Sequence, residues 1–501
     1  MPEQSPIGYT WLVEHFAIST LPWWVESYCA SGYRRSDSSQ SLTRVSYPYA
    51  RNPGNSVSAH LEFALKHEGL NLEVLRKVIP LMESSEIVTR CLETPTGKYA
   101  RIIWLLFEKF TAQKLTLPDL TKGNYVQILD DSIFYTCSGP KISRQRVELN
   151  LLGDLEFSPL VRKTTRLEEA LAQDYGAEAS ALETQYPPEL YQRAIRYFYS
   201  KESKSTYSIE NEIPSQAKQE GFARLLETAD KLALTTEKGL VELQKKIVDP
   251  RFANEGYRDL IEEQIYVGES IAPGQERVHY IAPRPQDIRQ LMEGFERLAL
   301  KLSQSEQVPA LISAAVLSFV FNFLHPFSDG NGRIHRFLIH WLFKKRHFGP
   351  QNFVFPVSAV MIHRPVEYDL ALESYSKPLM EQLDYSLDTF GQMKVITDSV
   401  DFYRHIDCTA LAEKTADFVE ETLKSELPAE LEFLQQYDEA RFNMANIVDL
   451  PNREADLFLK FVRDNGGVLS RNRRKQGRFA LLTEEEISEL ETVVKNAFKL
   501  T

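Results

Sequence analysis

Cysteine is scarce and scattered: the 501 residues hold four, Cys29, Cys91, Cys137 and Cys408, with no CxxC pair among them. That excludes a disulfide framework and a zinc site built on paired cysteines, and a reduced, cytoplasmic setting is expected. Long apolar runs are also missing. The longest, Leu311 to Leu324, is interrupted by Ser313, Ser318 and Asn322 and falls short of the roughly 18–20 apolar residues a membrane span needs. It reads as a buried core helix, and no membrane partner is expected. The first residues, MPEQSPIGYTWLVEHF, lack a basic stretch followed by an apolar one, so export is not expected. No internal repeat or low-complexity tract is present, which removes solenoid and fibrous classes. An excess of positive charge is lacking as well. With 58 Lys and Arg against 70 Asp and Glu the net charge is −12, which argues against a chain whose whole surface coats nucleic acid or anionic lipid.

What is there is a globular composition, 43% hydrophobic and 11% aromatic, on a chain long enough for about three domains. Residues 1–185 mix short apolar runs with Pro, Gly and Ser, and read as a mixed α/β domain. Within it Leu61–Met82 and Ala100–Phe110 have helical spacing, whereas YVQIL and SIFYT alternate like short strands. Gly97-Lys98 is not a phosphate loop, because Leu92 and Tyr99 occupy positions that the GxxxxGK[ST] fingerprint reserves for Gly and Ser or Thr. Residues 186–400 turn to long amphipathic stretches, Ala217–Val248, Pro285–Ser303 and Val308–Leu324, and should be mainly helical. Residues 401–501 hold a charged linking helix over Lys414–Glu439 and then two helical stretches around a basic GG-containing loop. A small winged-helix-like unit is expected there. The fold class is therefore mainly α: a helical core with a β-hairpin, a mixed α+β domain before it and a small helical unit after it.

The stretch richest in chemistry is FNFLHPFSDGNGRIHRFLIHWLFKK, residues 321–345, an apolar helix, a polar glycine-bearing loop and a second apolar helix. Gly330 and Gly332, flanking Asn331, allow consecutive N–H groups to face one concavity, and a loop that opens onto a helix start is an anion site. Arg333 and Arg336 lie three apart at the start of the second helix, so both guanidinium groups can face the same phosphate chain. Asp329 can coordinate Mg²⁺ together with phosphate oxygens and water. His325, with an ordinary pKa of about 6.5, can take a proton from an attacking hydroxyl. Nucleotidyl or phosphoryl transfer is the chemistry these groups suit.

HPFSDGNGRIHR matches in full the signature HxFx(D/E)GNGRxxR and so resembles the Fic family. The resemblance covers roughly residues 186–400 and implies a Fic-type helical core. It implies that His325 is the catalytic base and Asp329 the Mg²⁺ ligand. Gly330, Asn331 and Gly332 would form the anion hole for the α- and β-phosphates, Arg333 would contact the β-phosphate, Arg336 the γ-phosphate, and Phe327 would anchor the loop. It also implies transfer of AMP from ATP, with Mg²⁺, to a Ser, Thr or Tyr hydroxyl of a target protein. Residues 264–292 resemble the family's flap, a hairpin on which a target strand would pair along Val267 and Gly268. Tyr368 and Tyr375 fall where the family often places residues around adenine, and core packing suits them equally.

Thr206-Tyr207-Ser208-Ile209-Glu210-Asn211 fits the family's inhibitory pattern [S/T]xxxE[G/N]. Thr206 and Glu210 lie one helical turn apart, so the Thr206 hydroxyl can meet backbone while Glu210 pairs with Arg336 and holds it from the γ-phosphate. The resemblance leaves removal of AMP, or transfer of another phosphate-containing group, open at the same site. It also allows a homodimer that covers the inhibitory helix, which no residue here decides. His335, His340, His347 and His363 lack a metal-ligand spacing. From Arg463 to Arg478 six cations, including Arg471, Arg473 and Arg474, stand against Asp464 alone. This patch suits DNA contact or a protein partner, and a binding regulator with an idle catalytic loop is the reading that competes with an enzyme.

Overall fold

The computed structural model describes residues 5–31, 34–38, 42–258, 263–272, 275–388 and 390–500. The outermost N-terminal residues and the tip of the expected flap, 273–274, lie outside the described residues. The chain is mainly α-helical, with four small sheets among the described residues. Among the described residues no helix is long and apolar enough to cross a membrane. Contacts gather the residues into two units, Met1–Gln173, Ser203–Phe348 and Met361–Asp417 in the first, and Asp174–Glu202, Gly349–Val360 and Phe418–Thr501 in the second. This grouping interleaves the three successive segments that composition suggests.

The first unit begins with a four-stranded sheet in the order Ser5–Ile7, Val25–Ala30, Thr43–Pro48, Arg35–Ser38, in which the two central strands run parallel. Helices Val57–His67, Leu72–Val78, Ser84–Glu93 and Lys98–Thr111 follow, and Trp104, Leu105 and Leu106 of the last are buried in one apolar cluster with Leu61 and Leu75. Of the two stretches that alternate like strands, YVQIL is reduced to Val126–Gln127, paired with Val147–Glu148. SIFYT is not a strand. The Asp130 carboxylate accepts both the N–H and the hydroxyl of Ser132, at 3.0 and 2.6 Å, and the Asp130 carbonyl accepts the N–H groups of Ile133 and Phe134. This side-chain turn occupies the start of the run, so the pairing with residues 161–163 is cut to one antiparallel bridge, Phe134 to Arg162, in which the Tyr135 N–H donates to the Val161 carbonyl at 2.9 Å and the Lys163 N–H to the Ile133 carbonyl at 2.7 Å.

The rest of the first unit is a helical core. Helix Ala310–Leu324 is buried at every residue from Leu311 on except Asn322, as a helix apolar on all sides must be. It packs on helix Asn331–Lys345 and on the amphipathic helix Pro285–Gln304. The hairpin pairs Tyr266–Ala272 with Gln275–Ile281 in antiparallel register and ends before Pro285, where the next helix starts, so the hairpin is shorter than the 264–292 stretch.

In the second unit helices Leu427–Ala445, Asn452–Asp464 and Glu484–Ala497 share a core of Met444, Phe458, Leu459, Val462, Leu490 and Val494. The wing is a correction: from Phe442 on there is no strand among the described residues. Where a wing would project, the Leu469 N–H donates to Glu491 at 2.7 Å and Arg474 pairs with Glu484 and Glu491. Those bonds tie the basic loop to the last helix. Arg473 lies over the Phe461 ring, 4.2 Å from its centroid. Two of the three arginines singled out for DNA thus have internal partners. Phe458 is fully buried, so Phe458→Ala should cost about 3–5 kcal/mol. Urea unfolding followed by circular dichroism measures this; a loss below about 1 kcal/mol would contradict the packing described.

Candidate active site

The apolar helix Ala310–Leu324 stops at His325, whose φ of 50° and ψ of 56° place it in the left-handed region. A non-glycine residue there is strained unless its surroundings hold it. The Arg258 guanidinium supplies one such hold, donating from Nε to the His325 carbonyl at 2.8 Å. The chain then turns through Phe327, fully buried, with ring centroids 5.8 Å from Tyr257 and 6.2 Å from Phe321. Asn331 closes the loop: its Oδ1 accepts the Phe327 N–H at 3.1 Å and its Nδ2 donates to the Phe327 carbonyl at 2.7 Å. Gly330 opens the next helix at φ 87°, and a Cβ there would stand 2.7 Å from Val248 Cγ1. Only glycine meets both conditions.

The His325 Nδ1 faces the Asn322 carbonyl at 3.3 Å, and the tautomer that donates this bond keeps the lone pair on Nε2. Burial, helped by the Arg258 charge, pushes the imidazole down to about 4, below the ordinary value expected from sequence. The ring is thus neutral at pH 7.

Helix Asn331–Lys345 begins with backbone N–H groups that have no intrahelical carbonyl, and carries Arg333 and Arg336, both buried. The Arg336 Nη2 donates to Glu210 Oε1 at 2.7 Å and to the Thr206 carbonyl at 2.8 Å, and its Nε donates to the Thr206 hydroxyl at 2.8 Å. The Thr206 hydroxyl therefore meets the arginine and not the backbone. The Tyr368 hydroxyl bonds the same guanidinium. Burial pushes the Glu210 carboxyl up, but the charge and hydrogen bond of Arg336 together with the Arg333 charge outweigh it and hold the group below the usual carboxylate range. Glu210 Oε1 also presses on the helix start, since a Cβ on Gly332 would come within 2.2 Å of it. A carboxylate therefore occupies the concavity read from sequence as an anion site.

Glu210 reaches this place from the end of helix Pro188–Ile209. The Asn211 N–H donates to the Ser208 carbonyl and the Glu212 N–H to the Tyr207 carbonyl, with Asn211 at φ 57°. This is a Schellman turn, whose left-handed position only glycine or asparagine fills readily. The same turn delivers a second acid. Glu212 Oε2 accepts from Arg333 Nη1 at 3.0 Å, Arg333 Nη2 donates to Asp329 Oδ1 at 2.7 Å, and the guanidinium lies 5.3 Å over the Tyr207 ring.

The loop is braced from outside by Gln244, fully buried, which donates to the Asp329 carbonyl at 2.9 Å and to Asn254 Oδ1 at 2.8 Å; Asn254 in turn accepts the Ser328 N–H at 3.1 Å. Asp329 itself keeps its side chain 47% exposed. Among the described residues no three His, Cys, Asp or Glu side chains form a metal cluster. A cation here would take one carboxylate and complete its shell with substrate oxygens and water, a donor set that fits Mg²⁺. On the hairpin, Val267 is exposed and Gly268 stands at a register shift, where a Cβ would meet the Arg277 carbonyl oxygen at 2.6 Å.

Residues 234–343 match the model of the Fic/DOC family. This stretch is a Fic/DOC domain. The chain is similar to the protein adenylyltransferase Fic of Drosophila melanogaster, 33% identical over 118 residues, which cover 23% of this chain and 21% of that protein. The Drosophila ananassae protein of the same name is 32% identical over the same shares. The match thus spans about a fifth of the length of these curated relatives. A solved Fic family protein from Desulfovibrio desulfuricans G20 aligns with 62% of this chain and 90% of its own, at 15% identity and a TM-score of 0.37.

Within the Fic domain and the segments packed on it, His325, Asp329, Gly330, Asn331, Gly332, Arg333 and Arg336 come together with Thr206, Glu210, Asn211 and Tyr368. Tyr368 is buried, its ring stacked at 6.3 Å on His335, and Tyr375 is buried beneath Phe323. Sequence reasoning missed Glu212, Gln244, Asn254 and Arg258. For Glu212 a signal existed, since its place just after a left-handed turn gives it the reach of the same loop. The other three had none.

A proton resonance titration of the His325 ring is expected to show a midpoint near 4. Because the folded value lies below the unfolded one of about 6.5, stability from this group is lost as the pH falls between the two. A midpoint above about 6 would contradict the half-buried, neutral imidazole.

Proposed function

We propose that this chain is a Fic-type adenylyltransferase that moves AMP from ATP to a hydroxyl of a target protein and is restrained by its own Glu210. The observation that carries this reading is the Glu210 carboxylate bonded to the buried Arg336 and pressed on the start of the helix that would hold phosphate. The printed names of the Drosophila relatives support the transferase class.

The neutral His325 Nε2 would accept the proton of the attacking hydroxyl. The helix start, with its Gly330–Gly332 backbone, would face the α- and β-phosphates, and freed Arg333 and Arg336 would balance the charge of the departing pyrophosphate. Asp329 would hold Mg²⁺, which would add positive charge across the phosphate oxygens. At rest both arginines are engaged. Glu210 stands where the γ-phosphate would meet Arg336, and Glu212 keeps Arg333, so two carboxylates of one turn compete with two phosphates. A target strand would pair along Val267 and Gly268 of the hairpin, since strand Tyr266–Ala272 has no second strand beside it among the described residues.

With α-labelled ATP and Mg²⁺, wild type should label itself and extract proteins weakly, and Glu210→Gly should raise the label about tenfold or more. Adding Glu212→Gln to Glu210→Gly should raise it further, and adding His325→Ala should lower it by about 10²-fold or more. Label that does not rise with Glu210→Gly contradicts the restraint, and label that survives His325→Ala contradicts the base.

A further inference from the structure

Arg258 is fully buried, and among the described residues its guanidinium bonds only carbonyls. Its Nε donates to His325 O at 2.8 Å, its backbone N–H to Pro326 O at 2.9 Å, and its Nη2 to Pro283 O, two residues beyond the hairpin strand Gln275–Ile281. Nη1 has no hydrogen-bond partner among the described residues. A buried guanidinium with no bonded carboxylate is costly. Burial pushes its pKa down to about 10, which leaves it charged at neutral pH. The cost is offset where a planar fork can reach two backbone segments at once, which an ammonium cannot do.

Those two segments do different work. His325 carries the proton acceptor, while Pro283 ends the hairpin on which a target strand would lie. A second tie runs beside the first: the Tyr280 hydroxyl donates to the Phe323 carbonyl. Gln264 closes the hairpin base by donating to the Ala282 carbonyl at 2.7 Å.

We infer that Arg258 is a positioning residue that locks the docking hairpin and the catalytic loop into one register, so that a hydroxyl presented on the hairpin falls at a fixed distance from the His325 base. The inference takes its meaning from the transferase reading, because the hairpin and the base matter together only there. It goes beyond that reading in naming the side chain that couples them. Arg258 touches neither nucleotide nor target; it acts through the His325 carbonyl and the Pro283 carbonyl.

The test is amide hydrogen exchange on the full chain carrying Arg258→Met or Arg258→Lys, with no nucleotide added. Exchange in peptides covering 280–284 and 323–328 is expected to rise about tenfold in Arg258→Met, while residues 311–317 of the core helix stay protected. Arg258→Lys, with a single donor nitrogen that cannot span both carbonyls, should fall between wild type and Arg258→Met in both peptides. The His325 midpoint should rise by about one pH unit in Arg258→Met and stay low in Arg258→Lys, because only the first removes the neighbouring charge. Loosening of one peptide without the other, or equal loosening of 311–317, would overturn the coupling. Should Arg258→Met fail to fold, Arg258→Lys carries the test, with the same joint loosening required. None of these readouts needs transfer to occur, so a chain that proves inactive still decides the matter.

Discussion

Two guanidinium groups buried three residues apart at one helix start need anions, and much of the site follows from how that need is met. Arg333 and Arg336 are about 2% and 1% exposed, where an unpaired charge would cost several kcal/mol. Glu210, Glu212 and Asp329 provide the carboxylates. The first two come from one Schellman turn, so a single backbone geometry sets both pairs. Any ligand that brings phosphates to the same helix start must exchange with these acids. Under the proposed function, restraint and nucleotide binding would be two uses of one electrostatic requirement.

The loop that presents His325 is held from several sides. Phe327 anchors it in the core, Asn331 closes it across four residues, Gln244 and Asn254 brace its outer carbonyl and N–H groups, and Arg258 takes the His325 carbonyl. The left-handed conformation of His325 persists because these bonds over-determine it. A neutral imidazole follows from the same burial. The surroundings that fix the ring also withdraw much of it from water, and with the Arg258 charge beside it they disfavour the charged form.

The loop from His325 to Arg336 was legible in sequence because its information is local. Two glycines around an asparagine, and arginines at helical spacing, announce a turn and a shared face within twelve residues. Glu210 could be singled out by its place in a short pattern. Arg258, Gln244 and Asn254 could not, since each acts on a segment 67 to 85 residues away and nothing near it in sequence marks that partner. The flanks fail for a related reason. SIFYT alternates like a strand, yet the Asp130 side chain draws it into a turn. The basic GG-loop has the composition of a wing, yet Glu491 captures Leu469 and Arg474 from the following helix, Glu484–Ala497. The long apolar segment Leu311–Leu324 was readable as core because it is too short and too interrupted to be anything else.

The most direct measurement is the ratio of ATP to ADP affinity by calorimetry in the presence of Mg²⁺, for wild type and for Glu210→Gly/Glu212→Gln. ADP lacks the γ-phosphate whose place Glu210 would hold, so wild type is expected to bind the two nucleotides within about twofold, whereas the double variant should prefer ATP by about tenfold or more, a gain of roughly 1.4 kcal/mol. An unchanged ratio in the double variant would contradict the idea that these carboxylates stand in for phosphate.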